Sequence, residues 1–370
     1  MKYYIIAGEA SGDLHGSNLI KALKGQDNDA DIRCWGGDLM EKAGGILVKN
    51  YKEMAFMGFL EVLLNLSTIS KAIKFCKTDI QKFHPDVIVF IDYSGFNLRI
   101  AKWAKEKSFT TNYYISPQIW ASRESRIKDI KRDIDAMYVI LPFEKEFYEK
   151  KHGFKVHFVG HPLIDAIGHR KLIGAKKFRK ENNLDPKKSI IALLPGSRKQ
   201  EVQKMLTLML SIVDDFPEYE FVIAGAPSLE PDFYAPFLDN PNVGFVSNKT
   251  YDLLSMSFAA IVTSGTATLE TAIFKVPQVV CYRANWLSYQ IAKRIITLDY
   301  ISLVNLIMKK EVVKELIQGE LNTKNLKMEL LKILDTPTRK AQFEAYYELE
   351  KKLGGKGASE KVATLIVENA

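Results

Sequence analysis

Residues 189–198 read Ser189-Ile190-Ile191-Ala192-Leu193-Leu194-Pro195-Gly196-Ser197-Arg198, an apolar run that ends in a turn of small residues. A strand with one wet face alternates polar and apolar side chains. A run that stays apolar belongs to a strand covered on both faces, as in a parallel sheet. The turn then offers Gly196, which lets a ligand approach the backbone, and free N–H groups where the next helix begins. Val87-Ile88-Val89-Phe90-Ile91 has the same continuous character. Outward from these two runs, short apolar stretches over 2–7, 31–35, 110–115, 136–140 and 156–159 alternate with helical patterns. The alternation pauses over 161–187 and restarts over 189–194, 220–224, 259–263 and 278–282. Strand-helix alternation of this kind predicts an α/β protein with doubly wound parallel sheets, and the pause divides it into two Rossmann-like domains. The expected domains are 1–168 and 169–355.

Bulk properties agree with that division. A chain of 370 residues exceeds what one hydrophobic core usually supports. Hydrophobic residues at 47% and charged residues at 26% exclude a disordered chain. Cys34, Cys76 and Cys281 are odd in number and widely spaced, which argues against a disulfide framework or zinc ribbon and suits a reducing cytoplasm. Met1-Lys2 runs straight into Tyr3-Tyr4-Ile5-Ile6-Ala7, so no secretory signal is expected. No apolar run approaches the ~20 residues needed to cross a bilayer. A net charge of +8 favours anionic partners such as nucleotides, phosphorylated substrates or an anionic membrane face. Nucleic acid is not expected, because the basic residues are scattered and lack an aromatic-plus-basic pattern.

In a parallel sheet, ligands sit beyond the carboxyl ends of the strands, where helix N-termini present unpaired N–H groups. Three strand-to-helix turns carry suitable residues. Ala7-Gly8-Glu9-Ala10-Ser11-Gly12-Asp13 is the first, and it lacks the GxGxxG spacing of a dinucleotide fold. The second, Pro195 to Arg198, adds a forked cation to its backbone amides. The third is Thr263-Ser264-Gly265-Thr266-Ala267-Thr268-Leu269-Glu270. At ~3.6 residues per turn, Glu270 falls about one and a half turns into the helix, where it can accept bonds from ribose hydroxyls. Any one of these is also an ordinary tight turn. Taken together, the second and third form a cradle for a nucleotide diphosphate.

Several blocks in order along the chain resemble lipid A disaccharide synthase. They are residues 7–13, Ile91-Asp92-Tyr93-Ser94-Gly95-Phe96-Asn97, Ser116-Pro117-Gln118-Ile119-Trp120-Ala121 and Leu141-Pro142-Phe143-Glu144, followed by Gly160-His161-Pro162, Leu194 to Arg198, Ser264-Gly265-Thr266-Ala267 and Asp299 to Leu306. The resemblance implies the GT-B architecture, two Rossmann-like domains with a cleft between them, and a last helix, 356–370, returning to the first domain. It implies an inverting transfer from UDP-2,3-diacylglucosamine to 2,3-diacylglucosamine 1-phosphate, giving a β-1′,6-linked disaccharide and UDP. By the same resemblance Asp92 is the general base, with Glu9 and Ser11 beside it. Gly196, Ser197, Arg198, Ser264, Gly265, Thr266 and Glu270 hold UDP, and Asn305 contacts the donor or lies beside it. The family usually places a second acid where this chain has Gly95, so Asp92 stands alone. Without the resemblance, Asp92 reads equally well as a cap on the helix beginning near Phe96. His161 reads as a brace of the turn or as a catalytic group. No cofactor is expected: the scheme needs no metal, and the six histidines form no HExxH.

Both implied substrates carry acyl chains. Residues 54–66 hold only Glu61 and Asn65 as polar groups, so Met54, Phe56, Met57, Phe59, Leu60, Leu63 and Leu64 are candidates for an acyl groove or a membrane contact, with a buried core segment as the alternative. Lys49, Lys52, Lys71, Lys74 and Lys77 flank them and suit an anionic inner-membrane surface. Arg123, Arg126, Lys128, Lys131 and Arg132 form a second basic stretch, for a lipid phosphate, the acceptor 1-phosphate or solvent. The expected protein is cytoplasmic and peripheral on the inner face of the inner membrane. Two other classes stay open: another GT-B UDP-sugar enzyme, such as the peptidoglycan glycosyltransferase or a UDP-GlcNAc epimerase, and a non-catalytic nucleotide-sugar or lipid binder.

Overall fold

In a computed structural model of the chain, the described residues are 1–54, 66–168, 173–285 and 299–369. They form two units, Met1–Gly168 with Leu353–Ala370, and His169–Lys352. The first holds a sheet that runs, edge to edge, β3 (Ile46–Asn50), β2 (Asp31–Gly36), β1 (Lys2–Ala7), β4 (Val87–Ile91), β5 (Thr110–Tyr114), β6 (Ala136–Val139) and β7 (His157–Phe158). The second runs β10 (Val243–Ser247), β9 (Tyr219–Gly225), β8 (Ser189–Leu194), β11 (Ser257–Thr263), β12 (Gln278–Tyr282) and β13 (Lys314–Ile317). Every pairing in both sheets is parallel.

These are two Rossmann-type sheets. Each reverses direction at one point, between β1 and β4 in the first and between β8 and β11 in the second. Loops that leave neighbouring strands to opposite faces part there, and the crevice they leave is where such folds bind ligands. The continuously apolar runs are central: every residue of β4 is buried, as is β8 after its first.

Local bonding anchors the elements around the first reversal. The helix Leu66–Phe83 is tied to the sheet through Asp79, which takes both Arg33 Nε (2.8 Å) and the Tyr4 hydroxyl (2.7 Å). The last helix, Ala358–Glu368, lies along Ala10–Gln26, with Gln26 Nε2 donating to Thr364 Oγ1 at 2.9 Å. Buried Asp165 receives the N–H groups of Gly357 (2.7 Å) and Ala358 (2.9 Å), compensating that helix's N-terminal amides. Among the described residues, no helix is long and apolar enough to cross a membrane.

Candidate active site

The turn after β4 carries Asp92. Asp92 and Tyr93 both sit in the left-handed region, at φ 45° and 48°, which non-glycine residues occupy only when their surroundings hold them there. The hold is visible. Buried Asn97 donates from Nδ2 to the carbonyls of Asp92 (2.8 Å) and Ile91 (3.2 Å), and the Tyr113 hydroxyl also donates to the Asp92 carbonyl. The Tyr93 ring lies directly on Gly8, where a Cβ would come within 2.2 Å of it, so the turn after β1 must begin with glycine. The helix Ser94–Glu106 has Tyr93 as its N-cap, whose side chain makes no capping hydrogen bond, and Asp92 stands one residue before it. Asp92 is half-buried. Burial first, and the charge of Glu9 second, push its pKa up to about 6, against a backbone hydrogen bond from Tyr93. A carboxylate tuned there is a serviceable base near neutral pH.

Glu9 and Ser11 are exposed at the start of the helix Ala10–Gln26. Asp13, from the same motif, has a different task. Its buried carboxylate accepts from the N–H groups of Gly37 (2.8 Å), Leu39 (3.2 Å) and Met40 (3.0 Å), closing the start of the helix Asp38–Lys42. Two further motifs meet at buried Glu144. It accepts from Ser116 Oγ (2.7 Å), Trp120 Nε1 (3.1 Å) and the backbone of Ile140 and Leu141, so residues 116–121 and 141–144 are joined by one carboxylate. His161 is a brace. Its Nδ1 accepts the Leu163 N–H at 3.2 Å, its own N–H donates to Leu353, and burial, with His15 adding to it, lowers its pKa to about 3.

Beyond Asp92, Arg126 donates to Ser94 Oγ at 3.3 Å. Burial lowers its pKa, and the charges of Arg123 and Arg99 lower it further. Two members of this basic stretch are engaged elsewhere: Arg132 pairs with Asp133 and Asp129, and Lys131 bonds the His152 carbonyl.

The second unit presents a cavity of about 310 Å³ at its own reversal point, between the turns after β8 and β11. Gly196, Ser197, Ser264, Gly265, Thr266 and Glu270 line it. Gly196 has φ 105°, a left-handed backbone that favours glycine. Arg198 is exposed at the head of the helix Lys199–Leu210 and stands outside the cavity wall. Burial raises the Glu270 carboxyl, and the Tyr251 hydroxyl donates to it at 2.7 Å. Asn305 does not line the cavity. It is fully buried, giving Nδ2 to Val313 O (2.8 Å) and Glu315 (2.9 Å) and receiving the Val312 and Val313 N–H groups. Glu315 in turn holds the N–H groups of Ile301 and Ser302, and the Ile301 carbonyl accepts from Ser264 Oγ at 3.1 Å. Asn305 therefore reaches the cavity only through the loop it fixes.

Sequence reasoning missed Glu201, Thr250 and Tyr251. Thr250 lines the cavity at the start of the helix Thr250–Met256, directly after β10, an edge strand whose apolar signal is too broken to recognise. Among the described residues, no group of three or more His, Cys, Asp and Glu is placed to hold a metal ion. Phe56, Met57, Phe59, Leu60, Leu63 and Leu64 lie outside the described residues, and Met54 is described only as the end of the turn Tyr51–Met54.

Comparison with known proteins comes to the same region of function. The family profile described as lipid-A-disaccharide synthetase matches residues 3–368. A lipid-A-disaccharide synthase from Geobacter metallireducens is 38% identical over 371 residues, covering 98% of this chain and 96% of its own. Among solved structures, UDP-GlcNAc 2-epimerase from Neisseria meningitidis bound to UDP-GlcNAc aligns with a TM-score of 0.66 at 15% identity, over 100% of this chain and 99% of that one. The glycotransferase of kitacinnamycin aligns with a TM-score of 0.68 at 12% identity, over 99% and 98%. At such identities these two show the shared GT-B fold and nothing finer.

Proposed function

The chain belongs to the lipid-A-disaccharide synthetase family, and on that premise we propose that it joins UDP-2,3-diacylglucosamine to 2,3-diacylglucosamine 1-phosphate, forming the β-1′,6-linked disaccharide and UDP. The observation that carries the mechanism is the Asp92 carboxylate, half-buried and with its pKa raised to about 6. Asp92 takes the proton from the acceptor 6-hydroxyl as that oxygen attacks the anomeric carbon of the donor. Glu9 and Ser11, at the same sheet reversal, orient the acceptor. The arginines at 99, 123 and 126 supply the charge that an acceptor 1-phosphate needs.

Donor binding falls to the second unit. Backbone amides of Gly196, Ser197, Gly265 and Thr266 and the hydroxyl of Ser264 receive the diphosphate, Arg198 swings its charge toward it, and Glu270 takes the ribose hydroxyls. UDP leaves as charge collects on its terminal phosphate, where helix N-termini and a guanidinium stabilise it. The enzyme works peripherally at the cytoplasmic, inner face of the inner membrane, because its substrates are amphiphiles.

The decisive measurement is UDP release with both acylated sugars, with either one alone, and with unacylated UDP-GlcNAc. Release only in the complete mixture is expected. Turnover of unacylated UDP-GlcNAc by itself would move the protein to another GT-B activity, and UDP binding with no turnover would make it a binder.

A further inference from the structure

A cavity of about 370 Å³ opens within the first unit, beside the Asp92 turn. Its volume lies in the range of roughly 300–1,000 Å³ common for small-molecule pockets. The floor is aromatic and buried. Trp35 packs against Phe96 at 5.4 Å between ring centroids, and Tyr93 stacks on Phe96 at 5.7 Å. The Trp35 indole N–H is directed away, to the Tyr4 hydroxyl at 2.9 Å, so Trp35 and Phe96 turn carbon toward the cavity. Val48 of β3 and Ile69 and Ala72 of the helix Leu66–Phe83 form apolar walls. Phe75, 49% exposed, stands at the mouth.

The polar lining, Lys49, Glu53, Thr68 and Lys71, is confined to residues that are exposed or half-exposed, so the cavity is dry below and charged at its rim. A sugar ring placed on that floor would lose its water without gaining hydrogen bonds. A hydrocarbon chain would lose nothing. Tyr93 lies in the cavity floor and is the residue directly after Asp92, so the cavity adjoins the turn that carries the base. At the rim Lys71 stands beside the ion pair of Lys49 with Glu53, and Arg126 lies beyond the Asp92 turn, bonded to Ser94, so that cations are present for an amphiphile that carries phosphate.

We propose that this cavity holds one acyl chain of the acceptor. The inference rests on the transferase reading above and adds a chain-length ruler to it. Each methylene withdrawn from water is worth about fourfold in affinity.

Decyl phosphate, below its critical micelle concentration, is the probe, with inorganic phosphate as the chain-free control and binding read by calorimetry. Wild-type protein is expected to bind decyl phosphate and to bind inorganic phosphate at least about tenfold more weakly. Ala72→Phe fills the cavity and should weaken decyl phosphate about tenfold or more while UDP affinity holds. Equal binding of decyl phosphate by wild type and Ala72→Phe overturns the proposal, as does equal binding of the two phosphates by wild type. If Ala72→Phe loses its melting transition, Ile69→Gln, which makes the wall polar without adding bulk, carries the same test with the same expected loss. Because the readout is binding, it separates from the reaction itself. Chain-dependent binding without turnover would leave the cavity assigned and the transferase reading wrong; turnover with chain-independent binding would do the reverse.

Discussion

The turns after β1 and β4 in the first unit and those after β8 and β11 in the second occupy the same topological place, yet their chemistry is opposite. Both pairs flank the one reversal of their sheet. In the first unit the pair delivers carboxylates, Glu9 and Asp92, and its left-handed residues are an aspartate and a tyrosine held by Asn97 and Tyr113. In the second unit the pair delivers backbone amides and small side chains, and the left-handed position is Gly196. One fold thus makes a proton acceptor where side chains pay for backbone strain, and an anion receiver where glycine removes it. The comparison teaches that the reversal point fixes where a site lies, while the residue allowed into the strained position decides what the site does.

The largest effect should come from the carboxylate side. Asp92→Asn keeps the turn's shape and removes the base, so turnover should fall about a hundredfold to ten-thousandfold. UDP affinity, measured by calorimetry, should not follow. Loss of both together would mean that the two turns are not separable in function.

On the amide side, Arg198→Ala should weaken UDP binding roughly tenfold to a hundredfold, the worth of a hydrogen bond to a charged group. Its exposed position outside the cavity wall makes this a sharp test, since the side chain must move inward to reach a diphosphate. An unchanged UDP affinity would leave the cradle to backbone amides alone. In neither outcome should the acid limb of the pH profile move.

Asn97→Ala strips the Asp92 and Ile91 carbonyls of their buried donor and should cost roughly 1–3 kcal/mol of stability, read by denaturant titration. Turnover should drop more than acceptor KM rises, because the base is misaimed and the acceptor is still bound. Full turnover per folded molecule would show that Tyr113 alone keeps the turn left-handed.

Most of this comparison was legible in the sequence, and what escaped did so for physical reasons. The ten strands expected from apolar runs are all present, because strands covered on both faces read as mainly apolar runs even where they carry a bonded polar residue such as Gln278. The three strands missed, β3, β10 and β13, are all sheet edges, whose half-wet residues such as Lys49, Asn50, Ser247 and Lys314 break the apolar signal. Losing β10 hid the turn at Thr250. The motif residues mix two jobs that sequence cannot separate. Asp13 and Glu144 are as prominent as Asp92 in their blocks, yet each saturates its carboxylate with buried donors and works on the backbone. Asn305 is likewise spent on the loop 301–315. What distinguishes Asp92 is a carboxylate that meets only the Tyr93 N–H, and that depends on φ, burial and neighbours, none of which is written in residue types.

The smallest effect tests the pairing within the carboxylate turns themselves. The Asp92 pKa, raised to about 6, has two causes in order, burial and then the charge of Glu9. Asp92 acts as a base only when ionised, so kcat/KM should be full above that pKa and should decline as pH falls through about 6. Glu9→Gln removes the secondary cause and leaves the primary one. The carboxyl then ionises more easily, and the acid limb should move to lower pH by a fraction of a unit. Relative to each enzyme's own plateau, the variant should therefore keep more of its activity at pH 5.5 than wild type does. A limb that stays at about 6 would show that burial alone tunes Asp92 and that Glu9, although carried by the neighbouring turn, does not act on the base. A limb that moves upward would contradict the sign of the interaction and break the picture of two carboxylates sharing one reversal point.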